Sequence, residues 1–377
     1  MTISRRHLLR RLGAAAAAGA AAPSLTGVAA AVVAAESSDG LVRLDRTGNP
    51  LGPSPKTMAA MLDAAQAAAH RYSDAEAEAL RKKIARFHSL PEGRVVLGCG
   101  STEILRMAAE TFLGPGRSAI VARPTFEPMR ACAERTGAEV IAVPLRLDYS
   151  HDLASMLSRT TVSTGLVYIC NPNNPTGTLT RRRDIEAFVR ELPETTNVLI
   201  DEAYHHYAGE SADYASFIDR PIDDGRVIVC RSFSKVYGLA GLRVGYAVAS
   251  PDTARRLNAS RLADGVNVVA ACAAMAALDD REYVAASAGR NLDDRQEFVN
   301  QAHARMLKPI DSHANFVMMN TERAAEDVVE RFRRDGIVLP PPAPGFERHV
   351  RVSLGRPADM QAFWGTWDVM NVRHSSM

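Results

Sequence analysis

Charge of one sign is missing from this chain: 45 Lys and Arg stand against 43 Asp and Glu, a formal net charge of +2 over 377 residues. That balance gives no electrostatic footprint for nucleic acid or for an anionic membrane. The one dense basic run, Arg181-Arg182-Arg183, is followed by Asp184 and Glu186 and reads as the solvated start of a helix. Cysteine is scarce. Cys99, Cys132, Cys170, Cys230 and Cys272 are odd in number, lack C-x-x-C spacing and sit in apolar or small-residue contexts. This excludes a disulfide framework and a thiolate metal site, and leaves buried small hydrophobes. No His, Cys and carboxylate cluster has metal-ligand spacing; His205-His206 after a strand do not suffice for zinc. Internal repeats are absent. The longest stretch without charge, near the amino terminus, is rich in Ala and Gly, too weakly apolar and without flanking aromatics for a stable membrane span.

What is present is 46% hydrophobic and 23% charged, the balance of a globular protein, at a length that suggests two domains. The start differs from the rest. Ser4-Arg5-Arg6-His7-Leu8-Leu9-Arg10 precedes an Ala/Gly-rich stretch to about Ala35. A basic start, a modest apolar region and small residues describe an export signal, and the paired arginines resemble the twin-arginine type. The expectation is an exported or periplasmic protein; an Ala-rich leader without that role would leave it cytoplasmic.

From 56 to 113 the pattern is helical, with Leu80, Ile84 and Phe87 on one face. Short apolar runs at 94–97, 119–122, 139–143, 166–170, 198–200, 227–230 and 244–248 then alternate with helical stretches. That alternation predicts an α/β fold with a mainly parallel sheet of seven strands. Beyond about 252, long helical stretches lead to strands at 316–319, 337–339 and 350–354, a smaller α+β domain. The expected division is a signal peptide over 1–35, an amino-terminal arm over 36–72, a large domain over 73–252 and a small one over 253–377.

In such sheets ligands bind at the carboxyl ends of strands, and the chemical residues gather there. Ser232-Phe233-Ser234-Lys235-Val236-Tyr237-Gly238-Leu239-Ala240-Gly241-Leu242-Arg243-Val244-Gly245-Tyr246 follows an apolar strand. A lysine at a strand end, between hydroxyls and glycines, suits an amine that bonds a bulky aldehyde. Ser232, Ser234 and Arg243 supply donors for a phosphate dianion. A lysine beside a helix cap is the bland alternative, adequate for S-x-S-K but not for the whole stretch.

That segment resembles the Schiff-base signature of class I/II aminotransferases, closest to the histidinol-phosphate aminotransferase branch. Three more matches follow in order: Leu97-Gly98-Cys99-Gly100-Ser101-Thr102-Glu103, Asn171-Pro172-Asn173-Asn174-Pro175-Thr176-Gly177 and Asp201-Glu202-Ala203-Tyr204. The resemblance covers about Leu44 to the carboxyl terminus. It implies the pyridoxal 5'-phosphate (PLP) transferase fold of type I, that cofactor, and ping-pong transfer of an amino group between an amino acid, or a histidinol-phosphate-like amine, and a 2-oxo acid. It makes Lys235 the cofactor-bearing amine and proton carrier, and Asp201 the partner of the pyridine nitrogen. Asn174 and Tyr204 would bond the ring's phenolic oxygen; the default reading of each alone is a turn Asn and a core Tyr. Ser101 and Thr102 open a helix where free N–H groups favour phosphate, whether or not one is also a plain cap. Phe126 occupies the ring-stacking position, or is core. Arg351, in Val350-Arg351-Val352-Ser353, matches the arginine for the substrate carboxylate, with a surface ion pair as its alternative; Asn174 lies beside that substrate site and Asn315 supports it. Tyr72 resembles the tyrosine that reaches the phosphate of a neighbouring subunit, which implies a homodimer, although the pattern has Pro where this chain has Ser73.

Two departures point away from histidinol phosphate as substrate. The branch's N-E-N-P-x-G is Thr47-Gly48-Asn49-Pro50-Leu51-Gly52 here, and the place of its arginine after G-I-x-V is taken by Pro340-Pro341-Pro342. An apolar or aromatic amino donor is the resulting expectation. A PLP decarboxylase or lyase on the same fold, threonine-phosphate-decarboxylase-like, is the alternative, and a ligand sensor without turnover the third reading.

Overall fold

The computed structural model describes residues 40–372, so the leader reading and the last five residues lie outside the described residues. Among the described residues twelve strands form three sheets: β1 (Val42–Arg43), β2 (Val95–Gly98), β3 (Ser118–Arg123), β4 (Glu139–Pro144), β5 (Thr164–Cys170), β6 (Asn197–Asp201), β7 (Val227–Ser232), β8 (Gly245–Val248), β9 (Lys308–Pro309), β10 (Phe316–Asn320), β11 (Ile337–Val338) and β12 (His349–Ser353).

The main sheet runs β2-β8-β7-β6-β5-β3-β4. β8 is antiparallel to both neighbours and the remaining pairs are parallel, as the alternation of strands and helices predicted. β2, β5, β7 and β8 are buried along their whole length, which requires cover on both faces. Successive side chains therefore feed opposite layers. Val167, Ile169, Val198, Ile200, Val227 and Val229 pack under helices Asp74–Phe87, Arg182–Glu191 and Val268–Leu278. Leu166, Tyr168, Cys170, Leu199, Ile228 and Cys230 pack under Ser101–Phe112, Pro128–Arg135 and Pro251–Ala259. The same alternation places Asp201 and Ser232, at the carboxyl ends of β6 and β7, on the second layer.

The second sheet, β12-β10-β9, is antiparallel and packs its own core of Phe298, Phe332, Phe363, Trp364 and Trp367. The run at 337–339 lies outside this sheet: it forms β11, which pairs in parallel with β1. Backbone hydrogen bonds Val42 N–Gly336 O (2.9 Å), Leu44 N–Val338 O (2.9 Å) and Ser353 N–Leu44 O (3.1 Å) continue that pairing. A two-residue strand is too short for alternation to register in sequence, so β1 and β9 were invisible there. The consequence is a strap, residues 42–52, laid over the carboxyl edge of the main sheet.

Among the described residues no helix is long and apolar enough to cross a membrane, and no group of three or more His, Cys, Asp or Glu could hold a metal ion. His205 and His206 are half-buried, and that burial lowers the pKa of each imidazole below the usual histidine value.

Candidate active site

β5, β6 and β7 end in register, so that Asp201 lies between Cys170 and Cys230. These are apolar neighbours for a carboxylate. Asp201 is 1% exposed, and burial raises its pKa to about 6. Two donors offset part of that cost: the Tyr168 hydroxyl to Oδ2 at 2.9 Å and the Ala203 N–H to Oδ1 at 3.0 Å. Asp201 forms part of the floor of a cavity of about 980 Å³.

Lys235 stands on the loop that leaves β7. Ser234 N–H donates to Ser232 Oγ (3.0 Å) and Gly238 N–H to the Lys235 carbonyl (2.8 Å), which curls the loop back over the strand end. The amine Nζ donates to the Thr47 carbonyl (3.1 Å) and to the Thr47 hydroxyl, 5.0 Å from the centre of the Tyr204 ring. Burial, helped by the Arg351 cation and partly opposed by Asp201, lowers its pKa to about 7. At neutral pH about half the amines are therefore uncharged and nucleophilic.

Beside this amine is an anion cradle. Helix Ser101–Phe112 begins at Gly100 with no side-chain cap, so its first N–H groups and its dipole face the cavity that Ser101 and Thr102 line. Gly100 is favoured by its φ of +73°, which an L side chain rarely adopts, and it lies against the tip of the Arg243 guanidinium. Arg243 itself adopts the left-handed conformation (φ 58°) and donates to Ala240 O (2.9 Å) and Ser234 Oγ (3.4 Å). Ser232 and Ser234 complete the cradle.

On the opposite wall Arg351, from β12, donates to Asn174 Oδ1 (2.7 Å) and to the Asp45 carbonyl (2.8 Å), and stacks over Phe316 at 5.3 Å. Both oxygens are neutral, its Nε is buried without a partner in the chain, and burial lowers its pKa. An arginine so placed is open to a carboxylate. Asn174 Nδ2 reaches the Tyr204 hydroxyl at 3.4 Å, and Asn315 holds the strap through Thr47 O (3.1 Å) and Gly48 O (3.0 Å). Phe126 lies half-buried at the junction of this cavity with a second, more apolar one of about 400 Å³.

The candidates named from the sequence line this cavity except Asn315, which acts on it through the strap, and Tyr72, which is 79% exposed and does not line the cavity of its own chain. The structure adds two the sequence did not nominate. Tyr168 reads as a core aromatic, and Thr47 was conspicuous only as a departure. The set fits PLP by observation: a buried carboxylate of raised pKa for a protonated ring nitrogen, an amine of lowered pKa for an aldehyde, and an uncapped helix end with an arginine for a phosphate.

Comparison with known proteins agrees. The family described as aminotransferase class I and II matches residues 41–364. The chain is 39% identical over 323 residues to the histidinol-phosphate aminotransferase of Methylobacillus flagellatus, covering 86% of this chain and 87% of that one. It is 36% identical over 325 residues to that of Symbiobacterium thermophilum, covering 86% and 88%. The crystal structure of the Sinorhizobium meliloti histidinol-phosphate aminotransferase in complex with pyridoxal-5'-phosphate superposes with a TM-score of 0.80 at 29% identity, over 86% and 88%. The L-threonine-O-3-phosphate decarboxylase of Porphyromonas gingivalis shares the fold, with a TM-score of 0.75 at 21% identity over 88% and 99%.

The Lys235 environment makes a direct prediction. In cofactor-free protein, labelling of Lys235 by an amine reagent is half-maximal near pH 7. Asp201→Asn removes the anion that sustains the charged form, so the midpoint moves lower. A midpoint near 10, that of an ordinary surface lysine, or an upward move in the variant, contradicts this account of the site.

Proposed function

We propose, from the premise that the chain belongs to the class I and II aminotransferase family, that Lys235 is the residue that holds the cofactor and carries the proton. The chain is a PLP-dependent transaminase of fold type I. Bound in the cavity, the cofactor supplies an electron-withdrawing pyridinium that stabilises charge left on the substrate's α-carbon. Everything else is done by the chain.

With the cofactor bound, Asp201 would hold the proton of the ring nitrogen, kept aimed by Tyr168 and the Ala203 N–H. Ser101, Thr102, Ser232, Ser234 and Arg243 would hold the phosphate, Phe126 would cover the ring, and Asn174 and Tyr204 would face its phenolic oxygen. Arg351 would take the substrate carboxylate and so favour transamination over loss of CO2. Lys235 Nζ takes the α-proton as base and returns it as acid, a role suited to a group near pKa 7. The net exchange turns the amino donor into its 2-oxo acid and passes its amino group to a second oxo acid. The observation that carries this reading is a lysine of lowered pKa and a carboxylate of raised pKa sharing one cavity with an anion cradle.

For the amino donor we infer an amino acid with an apolar or aromatic side chain. The wall next to Arg351 is formed by Pro340 and Pro341, and the adjoining cavity by Pro124, Pro175, Met318 and Ala343 beside Phe126. Those prolines stand where the resembling branch carries an arginine suited to a substrate phosphate. The measurement is an absorbance spectrum of the purified protein with a panel of amino acids, with Lys235→Ala in parallel. The expected result is a visible band of covalently held cofactor, lost in the variant and bleached by apolar or aromatic donors with release of their 2-oxo acids. Bleaching by histidinol phosphate alone overturns the donor assignment, CO2 release moves the reaction to decarboxylation, and a wild type without the band after PLP addition removes the central reading.

Two further proposals rest on parts of the chain away from the cavity. Tyr72, exposed here, reaches the phosphate cradle of a second copy, making the enzyme a homodimer with shared sites. Mixing inactive Tyr72→Ala with inactive Lys235→Ala then restores about a quarter of native activity per active centre through hybrid dimers; no restoration sinks the shared site. Residues 1–35, with Arg5-Arg6, direct export by a twin-arginine route. Arg5→Lys/Arg6→Lys is expected to retain the protein in the cytoplasm on fractionation, and an unchanged distribution disproves the route.

A further inference from the structure

Thr47 lies 7% exposed at the middle of the strap, and both of its oxygens turn into the active site. The carbonyl accepts from Lys235 Nζ at 3.1 Å and from Asn315 Nδ2 at 3.1 Å. The hydroxyl accepts from Lys235 Nζ and lies 3.0 Å from the Tyr204 hydroxyl. Asn315 also holds the Gly48 carbonyl, and Asn49 Nδ2 donates to the carbonyl of Val236, the residue after Lys235, at 2.8 Å. Thr47 is therefore fixed from both sides before it meets the amine. The lysine loop can lie against the strap because Gly238 has no side chain: a Cβ there would fall 2.2 Å from the Gly52 backbone.

A neutral primary amine has two hydrogens and one lone pair. In this geometry both hydrogens are spent on the two oxygens of Thr47, and the Thr47 hydroxyl proton remains for Tyr204. The lone pair is left for the open cavity. The other groups that face Nζ are Arg351, Arg243, Asp201, Cys170 and the Tyr204 ring, none of which hydrogen-bonds to it here. They set its charge but do not orient it.

We propose that Thr47 is a positioning residue: its two oxygens hold the free Lys235 amine and point the lone pair into the cavity, toward the aldehyde it captures and the α-proton it removes. The proposal deepens the transaminase reading and rests on Lys235 being the cofactor-bearing amine. The signal in the sequence was a Thr-Gly pair in place of the Asn-Glu of the resembling motif.

Thr47→Val removes the hydroxyl at nearly constant volume and keeps the carbonyl; Thr47→Ser keeps both oxygens. Cofactor-free protein is used, with trinitrobenzenesulfonate labelling of Lys235 against pH as one readout and the rate of PLP capture at pH 7 as the other. Loss of an acceptor for the charged amine lowers the labelling midpoint of Thr47→Val by about one pH unit. More of the amine is then free base, which by itself speeds capture. If Thr47 aims the lone pair, capture instead slows by about tenfold. Thr47→Ser stays at wild-type values in both. Capture by Thr47→Val that is unchanged or faster, an unmoved midpoint, or slowing shared by Thr47→Ser overturns the proposal. A wild type that captures no PLP on Lys235 fails the underlying reading instead, so the two failures are told apart.

Discussion

A carboxylate at the end of a buried parallel strand is an expensive thing to build, and the active site is organised around that cost. Asp201 sits between two cysteines with almost no contact with water. Its two hydrogen bonds do not fully compensate, and the remainder appears as a raised pKa. A site in this condition favours whatever brings a positive charge to it. Lys235 shares the cavity but is committed to Thr47, so its charge supports Asp201 only through space. A cationic ring nitrogen would satisfy the carboxylate directly. Such a ring would complete an electrostatic arrangement that the chain alone leaves unbalanced.

Behind this floor, on the other face of the sheet, is a second buried charge that is fully paired. Arg231, one residue before Ser232, donates to Glu202, one residue after Asp201, at 2.8 Å. Ser216 Oγ (2.7 Å) and Phe217 N–H (2.7 Å) donate to the same carboxylate, and Arg231 also donates to Ser216 Oγ at 2.6 Å. Asp219 stands 3.6 Å away. Because side chains alternate across a strand, this network braces β6 and β7 from the back while their cavity-facing neighbours remain free to meet the ligand. Buried pairs contribute uncertain stability in general, and their best-attested use is to define register. Here the register defined is that of Asp201 against Ser232 and the lysine loop.

How much of this was legible in the sequence follows from what each part is made of. The seven strands of the main sheet stand out because strands covered on both faces read as short, unbroken apolar runs. The cradle and Lys235 stand out because the chemistry needs particular side chains at particular spacings. Thr47, Asp45 and Gly48 did not, since they act largely through backbone carbonyls, which carry no residue signature. Tyr168 looked like core because it is core; only the register of β5 against β6 brings its hydroxyl to Asp201. The run at 337–339 is legible as a strand, but its partner is not, because β1 is two residues long and nearly 300 positions away.

The strap sets a limit on how this polypeptide can be shortened. Residues 42–49 pair with β11, bond to β12 and supply the carbonyls that hold Arg351, Lys235 and Asn315. A chain shortened past residue 49 loses β1 and the carbonyls that hold Arg351, Lys235 and Asn315, so truncation at this end is limited by hydrogen bonds made at the cavity.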